Sequence, residues 1–269
     1  MTRNKFATLF VVLAVAVIGT LSLKFDRIRG SATTKIAEVP YTAVIFRNGE
    51  FLCNGVLIDT DVVATTTNCV KSANKSRVAT VRVGSDDMEY GGETYNIVDF
   101  KMFKKNNQGK DSKKKNAVLF NFGLLRLEAR IKPSTKVSTM YIAAKKPPSN
   151  QDVFGVLSGW GRRTNLIQKM NISLLADERC EKLKKFRPEE HHICAFIISD
   201  DENSCAGNDG APVVYNNALI GITTGRGDNP CNKRTPTILT STYYMKSFIN
   251  EQLSKFAEDD AKKKAACNC

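Results

Sequence analysis

The stretch with the most informative residue types runs from Asn203 to Pro212 and reads Asn-Ser-Cys-Ala-Gly-Asn-Asp-Gly-Ala-Pro. Acyl-transfer chemistry needs a nucleophile whose proton is removed by a neighbouring base. Within this glycine-containing stretch the chain places a carboxylate, that of Asp209. The whole sequence holds only two histidines, His191 and His192, as candidates for such a base. These residues raise the question of whether the chain is an enzyme at all.

Composition favours an extracellular protein built as one large domain or two subdomains. The 269 residues, 42% of them hydrophobic, are enough to bury a sizeable core. Eight cysteines fit an oxidising compartment better than the cytosol. The net charge of +13 predicts attraction to polyanions such as sulfated glycans, or to acidic proteins. Nucleic acid is not an expected partner, because no binding motif is present and the compartment argues against it.

The N-terminus is typical of a secretory signal. Basic residues at Thr2–Lys5 precede a nearly continuous apolar run from Phe6 to Leu23. We expect a signal peptide at residues 1–22, a short pro-segment at residues 23–27 and a secreted, extracellular protein. Because the apolar run also reaches the length of a membrane span, a retained signal anchor is the alternative.

Several motifs resemble those of the chymotrypsin/trypsin serine protease family. Residues 205–212 resemble that family's Cys-x-Gly-Asp-Ser-Gly-Gly-Pro, and residues 53–58 resemble its Cys-Gly-Gly-Ser-Leu-Ile. Residues 158–161 contain its Gly-Trp-Gly, and residues 118–127 resemble its strand Asn-Asp-Ile-Ala-Leu-Leu-Arg-Leu. The resemblance covers about residues 28–253 and implies an all-β fold. That fold has two antiparallel six-stranded β-barrels packed at right angles and a C-terminal helix, here Tyr243 to Leu253.

The three positions of that family's catalytic triad hold other residues here. Asn68 stands where the family keeps its histidine, in Thr-Thr-Thr-Asn-Cys, and Asn121 stands where it keeps the triad aspartate. Asp209 replaces the serine. Asparagine has no group that titrates near neutrality, so Asn68 cannot take a proton from a nucleophile. The resemblance therefore implies a degenerate protease without catalytic residues, and an enzyme with unconventional chemistry is the remaining alternative.

Activation and substrate specificity are altered as well. The residues around Arg27 resemble the family's activation site, where a freed isoleucine ammonium pairs with the aspartate before the serine. Asn208 holds that aspartate's position and carries no charge. In the specificity pocket, Asn203 occupies the base, Gly225 replaces a tryptophan and Thr237 replaces a glycine. We therefore expect no slot shaped for a Lys or Arg side chain.

The resemblance also implies three disulfides, namely Cys53–Cys69, Cys180–Cys194 and Cys205–Cys231. The charged C-terminal tail, residues 254–269, has two cysteines without a family counterpart, Cys267 and Cys269. Only two residues apart, these cysteines would strain a bridge to each other. We expect them to stay free or to bind a disulfide-linked partner.

Two groups of residues have the types of a metal site. Asp86, Asp87 and Glu89 lie close together, but three acids without a ligand pattern are more typical of a solvated turn. His191 and His192 adjoin two glutamates, yet in the frame of the resemblance they lie in a surface loop far from the cleft. We expect neither a metal ion nor a cofactor.

A lysine run is the first candidate binding feature. Residues 101–115 hold seven lysines and one acid. This run is either a solvated, mobile loop or an exosite for a polyanion. The candidate polyanion-binding residues are Lys104, Lys105, Lys110, Lys113, Lys114 and Lys115.

Three short surface motifs complete the set. Arg226-Gly227-Asp228 precedes Cys231 and matches the tripeptide by which integrin ligands present a cation and a carboxylate. Asn74 and Asn171 begin glycosylation sequons, which occur often by chance.

The function that these observations favour is a secreted, catalytically inactive serine protease homologue. It would act as a binding or regulatory protein in an extracellular immune, venom or seminal-fluid pathway. Its expected partners are extracellular proteases, inhibitors or receptors, and sulfated glycans. An extracellular adhesion ligand that binds integrin through Arg226-Gly227-Asp228 is the alternative.

Overall fold

The computed structural model of the chain describes seven stretches: residues 32–76, 78–104, 120–161, 164–184, 188–197, 209–224 and 236–267. Strands predominate. The strands are β1 (Ala32–Thr33), β2 (Thr42–Arg47), β3 (Glu50–Asp59), β4 (Val62–Thr65), β5 (Ala79–Val83), β6 (Glu93–Met102), β7 (Gly123–Leu127), β8 (Val153–Gly161), β9 (Thr164–Leu174), β10 (His192–Ile197), β11 (Pro212–Tyr215), β12 (Ala218–Thr223) and β13 (Thr237–Ser241). The helices are α1 (Thr67–Asn74), α2 (Asp177–Lys184), α3 (Thr242–Cys267) and a short 3₁₀ turn, Ile36–Glu38.

The strands close into two antiparallel six-stranded barrels, as predicted. The first barrel has the order β2-β3-β4-β7-β6-β5. The second has the order β9-β10-β13-β12-β11-β8, and the β8–β9 pairing closes it. Strand β1 adds to β9 from outside the ring. The two rings and the helix α3 after the last strand constitute a trypsin-like fold.

The first hairpin of the first barrel joins β2 to β3. Its turn is not at the position that the sequence suggests. The dipeptide Asn54-Gly55 is a typical turn signal, but it lies in the middle of β3. The turn is instead at Asn48 and Gly49, whose φ angles of 53° and 84° suit a two-residue hairpin. Gly55 serves close packing, because a Cβ there would come within 2.5 Å of Val63 Cγ1.

One hydrophobic cluster fills each barrel, and a third joins the two barrels. One fills the first barrel around Ile45, Leu57 and Leu125, and another fills the second barrel around Leu174 and Ile220. The largest cluster lies between the barrels and α3. Its members include Val44, Val56, Phe122, Trp160, Leu219, Met245 and Phe256. Burial of this shared seam fixes one barrel against the other.

Helix α3 is longer than the sequence suggested. It continues past Leu253 to Cys267, so residues 254–267 of the predicted charged tail are helical. This segment contains no glycine or proline and is rich in Ala and Lys, which favour helix. Its Phe256 is 3% exposed and lies over the Arg126 guanidinium, 4.8 Å from Cζ to the ring centroid. Helix α3 therefore reaches from the second barrel onto the first.

The disulfides Cys53–Cys69 and Cys180–Cys194 are both present, as the resemblance implied. Cys205–Cys231 lies outside the described residues. Cys267 is also disulfide-bonded, so the prediction of a free thiol there is wrong. A disulfide-linked partner chain stays a prediction.

No helix among the described residues is both long and apolar enough to cross a membrane. The apolar run from Phe6 to Leu23, and with it the signal-peptide and anchor predictions, lies outside those residues.

A buried arginine beneath α3 interacts with two carboxylates in different ways. Arg126 forms an ion pair with Asp260 and lies 3.6 Å from Asp61. Burial raises the pKa of the Asp61 carboxyl, and this desolvation outweighs the attraction of Arg126. An Asp whose pKa is raised on folding contributes stability below its unfolded value of 3.8, and that stability is lost as the pH rises.

We therefore expect Asp61→Asn to stabilise the protein at pH 7 by on the order of 1 kcal/mol or less. The gain should vanish near pH 3, where Asp61 is protonated in both the folded and unfolded states. Asp260→Asn is the matched control and should destabilise, because it removes the closer partner of Arg126. Urea unfolding at both pH values measures the difference. A loss of stability in Asp61→Asn at pH 7 would show that the ion pair dominates instead.

Candidate functional site

The first position of the site, Asn68, lies in the first turn of α1. Thr66 caps this helix, because its Oγ1 accepts the Cys69 N–H at 3.2 Å. The Cys53–Cys69 disulfide then ties the helix to β3. Asn68 is half-buried and belongs to a helix that is both capped and cross-linked.

Asn121 connects that helix to the second barrel. It is 7% exposed, and its Oδ1 accepts the Asn68 N–H at 3.3 Å. Its Nδ2 donates to the Thr224 carbonyl at 3.5 Å, and its own carbonyl accepts from Thr240 Oγ1 at 3.3 Å. The amide therefore uses both ends, one as acceptor and one as donor. A carboxylate in this place would direct an oxygen at the Thr224 carbonyl.

The third position, Asp209, is fixed through its backbone. Its carbonyl accepts the Asn54 N–H at 2.9 Å, and the next residue, Gly210, donates its N–H to the Thr223 carbonyl at 2.9 Å. Gly210 has a φ of 80°, and a Cβ there would lie 2.1 Å from the Asn54 carbonyl oxygen and 2.3 Å from Thr65 Oγ1. Only glycine fits this approach. Because Thr223 and Thr224 are adjacent, β12 brings the Asp209 and Asn121 positions to one region.

Asn54 is the residue of this region that the sequence did not single out. It is fully buried, and its side chain spans the two barrels. Nδ2 donates to the Trp160 carbonyl at 3.1 Å, and Oδ1 accepts the Trp160 N–H at 2.8 Å. Its backbone carbonyl accepts from Thr65 Oγ1 at 2.8 Å. Asn54 thus holds the Asp209 carbonyl and the Gly-Trp-Gly strand at once.

The side chains at the three positions offer two neutral amides and one carboxylate. A carboxylate oxygen of half-buried Asp209 lies within 4.8 Å of the sulfurs of both Cys53 and Cys69. This group has the residue types of a metal site, but the two sulfurs are bonded to each other and cannot coordinate as thiolates. Among the described residues of the site, none has the imidazole that general-base catalysis by the triad requires.

Comparison with known proteins settles the family. The family model described as "Trypsin" matches residues 28–249. The chain belongs to the trypsin family. Hypodermin-A of Hypoderma lineatum is 25% identical over 251 residues, covering 89% of this chain and 93% of the relative. A trypsin of Sarcophaga bullata is 27% identical over 233 residues, covering 81% and 86%.

A solved structure of mouse neuropsin, a serine protease expressed in the limbic system of the brain, shares the trypsin-family fold. Its TM-score is 0.68 at 22% identity, and the match covers 83% of this chain and 98% of the neuropsin chain. At this identity the likeness concerns the fold alone.

The resemblance to the family had placed the two histidines in a surface loop. That prediction is wrong, because both side chains are buried. His191 and His192 are 5% and 3% exposed, and their ring centroids are 3.8 Å apart. The His191 ring stacks on Phe120 at 4.0 Å, and Tyr244 of α3 lies 5.6 Å away. They are buried because β10 begins at His192 beside β13 of the second barrel. Their place is an aromatic cluster between the barrels.

The acidic side chains at residues 86 and 87 of this trypsin-family chain are bound by groups of the protein itself. Asp86 accepts the Ile36 N–H at 2.7 Å and forms an ion pair with Lys35 at 3.1 Å. The Ile36 N–H is the main cause that lowers the pKa of the Asp86 carboxyl. Asp87 accepts the Glu89 N–H at 2.8 Å. Backbone N–H groups and the Lys35 ammonium thus bind the Asp86 and Asp87 carboxylates.

Some of the remaining predicted site residues lie in the described part of the chain, and the others lie outside it. Asn74, at the end of α1, and Asn171, in β9, are exposed, and Lys104 is exposed after β6. Thr237 is half-buried at the start of β13. Residues that lie outside the described part of the chain are Asn203, Cys205, Asn208, Gly225, Cys231, Arg226, Gly227, Asp228, Lys105, Lys110, Lys113, Lys114 and Lys115.

Proposed function

We propose that this trypsin-family chain is a secreted, catalytically inactive serine protease homologue that acts by binding other extracellular molecules. The observation that carries the proposal is the amide pair at Asn68 and Asn121. A backbone N–H donated to a side-chain oxygen holds the two positions together, but neither side chain can accept or relay a proton. The framework of a protease site is kept, while its acid–base chemistry is replaced by amide groups.

The residue at the nucleophile position supports the same proposal. Asp209 presents a carboxylate, which would repel the negative charge that develops on a substrate carbonyl during acyl transfer. A carboxylate can also form covalent intermediates in other reaction classes, but it needs a partner acid or base. Asn68 and Asn121 supply none.

The binding role is supported by charge and disulfides. The net charge of +13 favours acidic or sulfated partners, and the disulfides fit an oxidising, extracellular compartment. Proteases, inhibitors, receptors and sulfated glycans remain the proposed partner classes. Integrin binding through Arg226-Gly227-Asp228 remains the rival proposal, on the sequence motif alone.

The direct test is an assay for any covalent or hydrolytic activity. We expect purified protein, cut after Arg27, to leave broad peptide libraries uncleaved and to resist labelling by a fluorophosphonate, while an active trypsin-family protease does both. Asp209→Ala is the control for contaminants, because activity that survives this substitution comes from another protein. Turnover that Asp209→Ala abolishes would overturn the proposal.

A further inference from the structure

The Asp209 carboxylate lies beside a disulfide. One of its oxygens is within 4.8 Å of the sulfurs of both Cys53 and Cys69. The two cysteines are 4% and 1% exposed, while Asp209 is half-buried. The negative charge therefore lies next to a bond that thiols break by nucleophilic attack.

Thiol–disulfide exchange moves negative charge through this region. An external thiolate attacks one sulfur and forms a mixed disulfide, and the electron pair of the S–S bond leaves on the other sulfur as a thiolate. A second external thiolate then displaces the protein sulfur from the mixed disulfide, which leaves two protein thiolates and one oxidised reductant. The attacking thiolate thus brings a negative charge close to Asp209, and the leaving sulfur of the protein acquires a negative charge there.

The surroundings of Cys69 make it the better leaving group. Its sulfur accepts a hydrogen bond from Thr66 Oγ1 at 2.9 Å, and it lies in the first turn of α1. Both the hydroxyl donor and the positive end of the helix stabilise a thiolate. Attack is therefore directed to Cys53, with Cys69 departing.

We propose that the Asp209 carboxylate protects the Cys53–Cys69 disulfide against anionic thiols. A full charge about 5 Å away slows the approach of a thiolate by about 4-fold in a water-like dielectric and by a few hundred-fold at an effective dielectric near 20. The hydroxyl and helix effects favour departure by only about two- to tenfold each. The carboxylate disfavours both the approach of the thiolate and the formation of a thiolate on the leaving sulfur. Its effect therefore exceeds the opposing effects of the Thr66 hydroxyl and the helix. The residue at the former nucleophile position thereby preserves the cross-link between α1 and β3.

The test measures reduction rates of the folded protein with three monothiols whose thiolates differ in net charge: cysteamine (0), mercaptoethanol (−1) and glutathione (−2). Alkylation and peptide mass spectrometry follow each disulfide separately. We expect Asp209→Asn to accelerate reduction of Cys53–Cys69 about tenfold with mercaptoethanol, less with cysteamine and more with glutathione. One molar salt should shrink these ratios, since it screens the charge. Asp209→Glu should retain protection.

Cys180–Cys194 in the same molecule is the internal control, and its rate should be unchanged in every variant. Acceleration of both disulfides together would reveal loosened structure rather than lost charge, and would contradict the proposal. A rate ratio near one with all three thiols would also overturn it. The proposal also fails if the ratio of the Asp209→Asn rate to the wild-type rate is the same for all three thiols. It fails as well if the reduction rates do not depend on thiol concentration.

Discussion

Replacing Asn68 by His, Asn121 by Asp and Asp209 by Ser together is expected to leave peptide hydrolysis at least about 1,000-fold below that of an active trypsin-family protease. Members of a catalytic triad act as a unit, and losing the nucleophile or the base alone costs about as much as losing all three, on the order of 10⁶-fold. Restoring the triad by residue type is therefore useful only if the three side chains also adopt the working geometry.

The contacts of Asn121 oppose that geometry. Its Nδ2 donates to the Thr224 carbonyl at 3.5 Å, so Asn121→Asp exchanges a donor for an oxygen that faces another oxygen. The new carboxylate will turn away or lose its place beside the Asn68 N–H. An imidazole at position 68 would then lack the partner that fixes its orientation.

Positions outside the triad reinforce this expectation. Asn208 is predicted to hold the place of the aspartate that, in the family, pairs with the freed N-terminal ammonium, and it carries no charge, so that activation pair cannot form. Thr237 is predicted to replace a glycine of the specificity pocket, which would further weaken substrate binding.

The measurement is kcat/KM on peptide libraries, with fluorophosphonate labelling of the serine introduced by Asp209→Ser as a second readout. The matched control adds Asn208→Asp and Thr237→Gly to the triple variant and should raise activity. Activity of the triple variant within tenfold of an active family member would show that only three side chains separate this chain from an enzyme.

Asn54→Ala is expected to lower the free energy of unfolding by about 3 to 5 kcal/mol. The substitution removes both amide hydrogen bonds between the fully buried Asn54 side chain and the Trp160 backbone. Each buried group that loses its hydrogen bond in this way costs about 1–3 kcal/mol. Since whole domains are stable by about 5–15 kcal/mol, this single side chain is a large fraction of the total.

Asn54→Asp keeps the shape of the side chain and changes only its hydrogen bonding and charge. The carboxylate can still accept the Trp160 N–H, but its other oxygen faces the Trp160 carbonyl in a fully buried site. We expect a loss at pH 7 at least as large as that of Asn54→Ala, because an unpaired charge is buried. Acid should partly relieve the loss, since a protonated carboxyl can donate to the carbonyl.

Urea unfolding followed by the fluorescence of Trp160, the only tryptophan, monitors these changes at the seam itself. Asn171→Ala is the control: its side chain is exposed on a strand, so its effect should stay within about 0.5 kcal/mol. An equally small effect of Asn54→Ala would mean that the inter-barrel amide contacts are not maintained in solution.

The sequence by itself was enough for the features that local motifs carry. Short stretches around Cys53, Trp160 and Cys205 predicted the family and the two-barrel fold. They also led to the prediction that Asn68, Asn121 and Asp209 hold the triad positions, because each lies beside a recognisable motif. Such motifs combine fixed spacing with residues that tolerate little exchange, and so they can be read without knowing distant contacts.

The tertiary structure alone decided what those residues and their neighbours contact. Asn54-Gly55 has the composition of a turn, yet it is a strand centre, because Asn54 binds Trp160 at a sequence separation of 106. His191 and His192 have the sequence context of surface residues, but packing against Phe120 and α3 buries them.

The docking of the C-terminal part of helix α3 also depends on tertiary contacts. Residues 254–267 have the charge of a solvated tail, but the burial of Phe256 over Arg126 and the Asp260–Arg126 ion pair dock them on the first barrel. The closeness of Asp209 to the Cys53–Cys69 disulfide likewise joins residues more than a hundred positions apart. Contacts of this kind form when separate strands meet on closing a barrel or packing a seam, and no pattern within a single stretch encodes which strands those are.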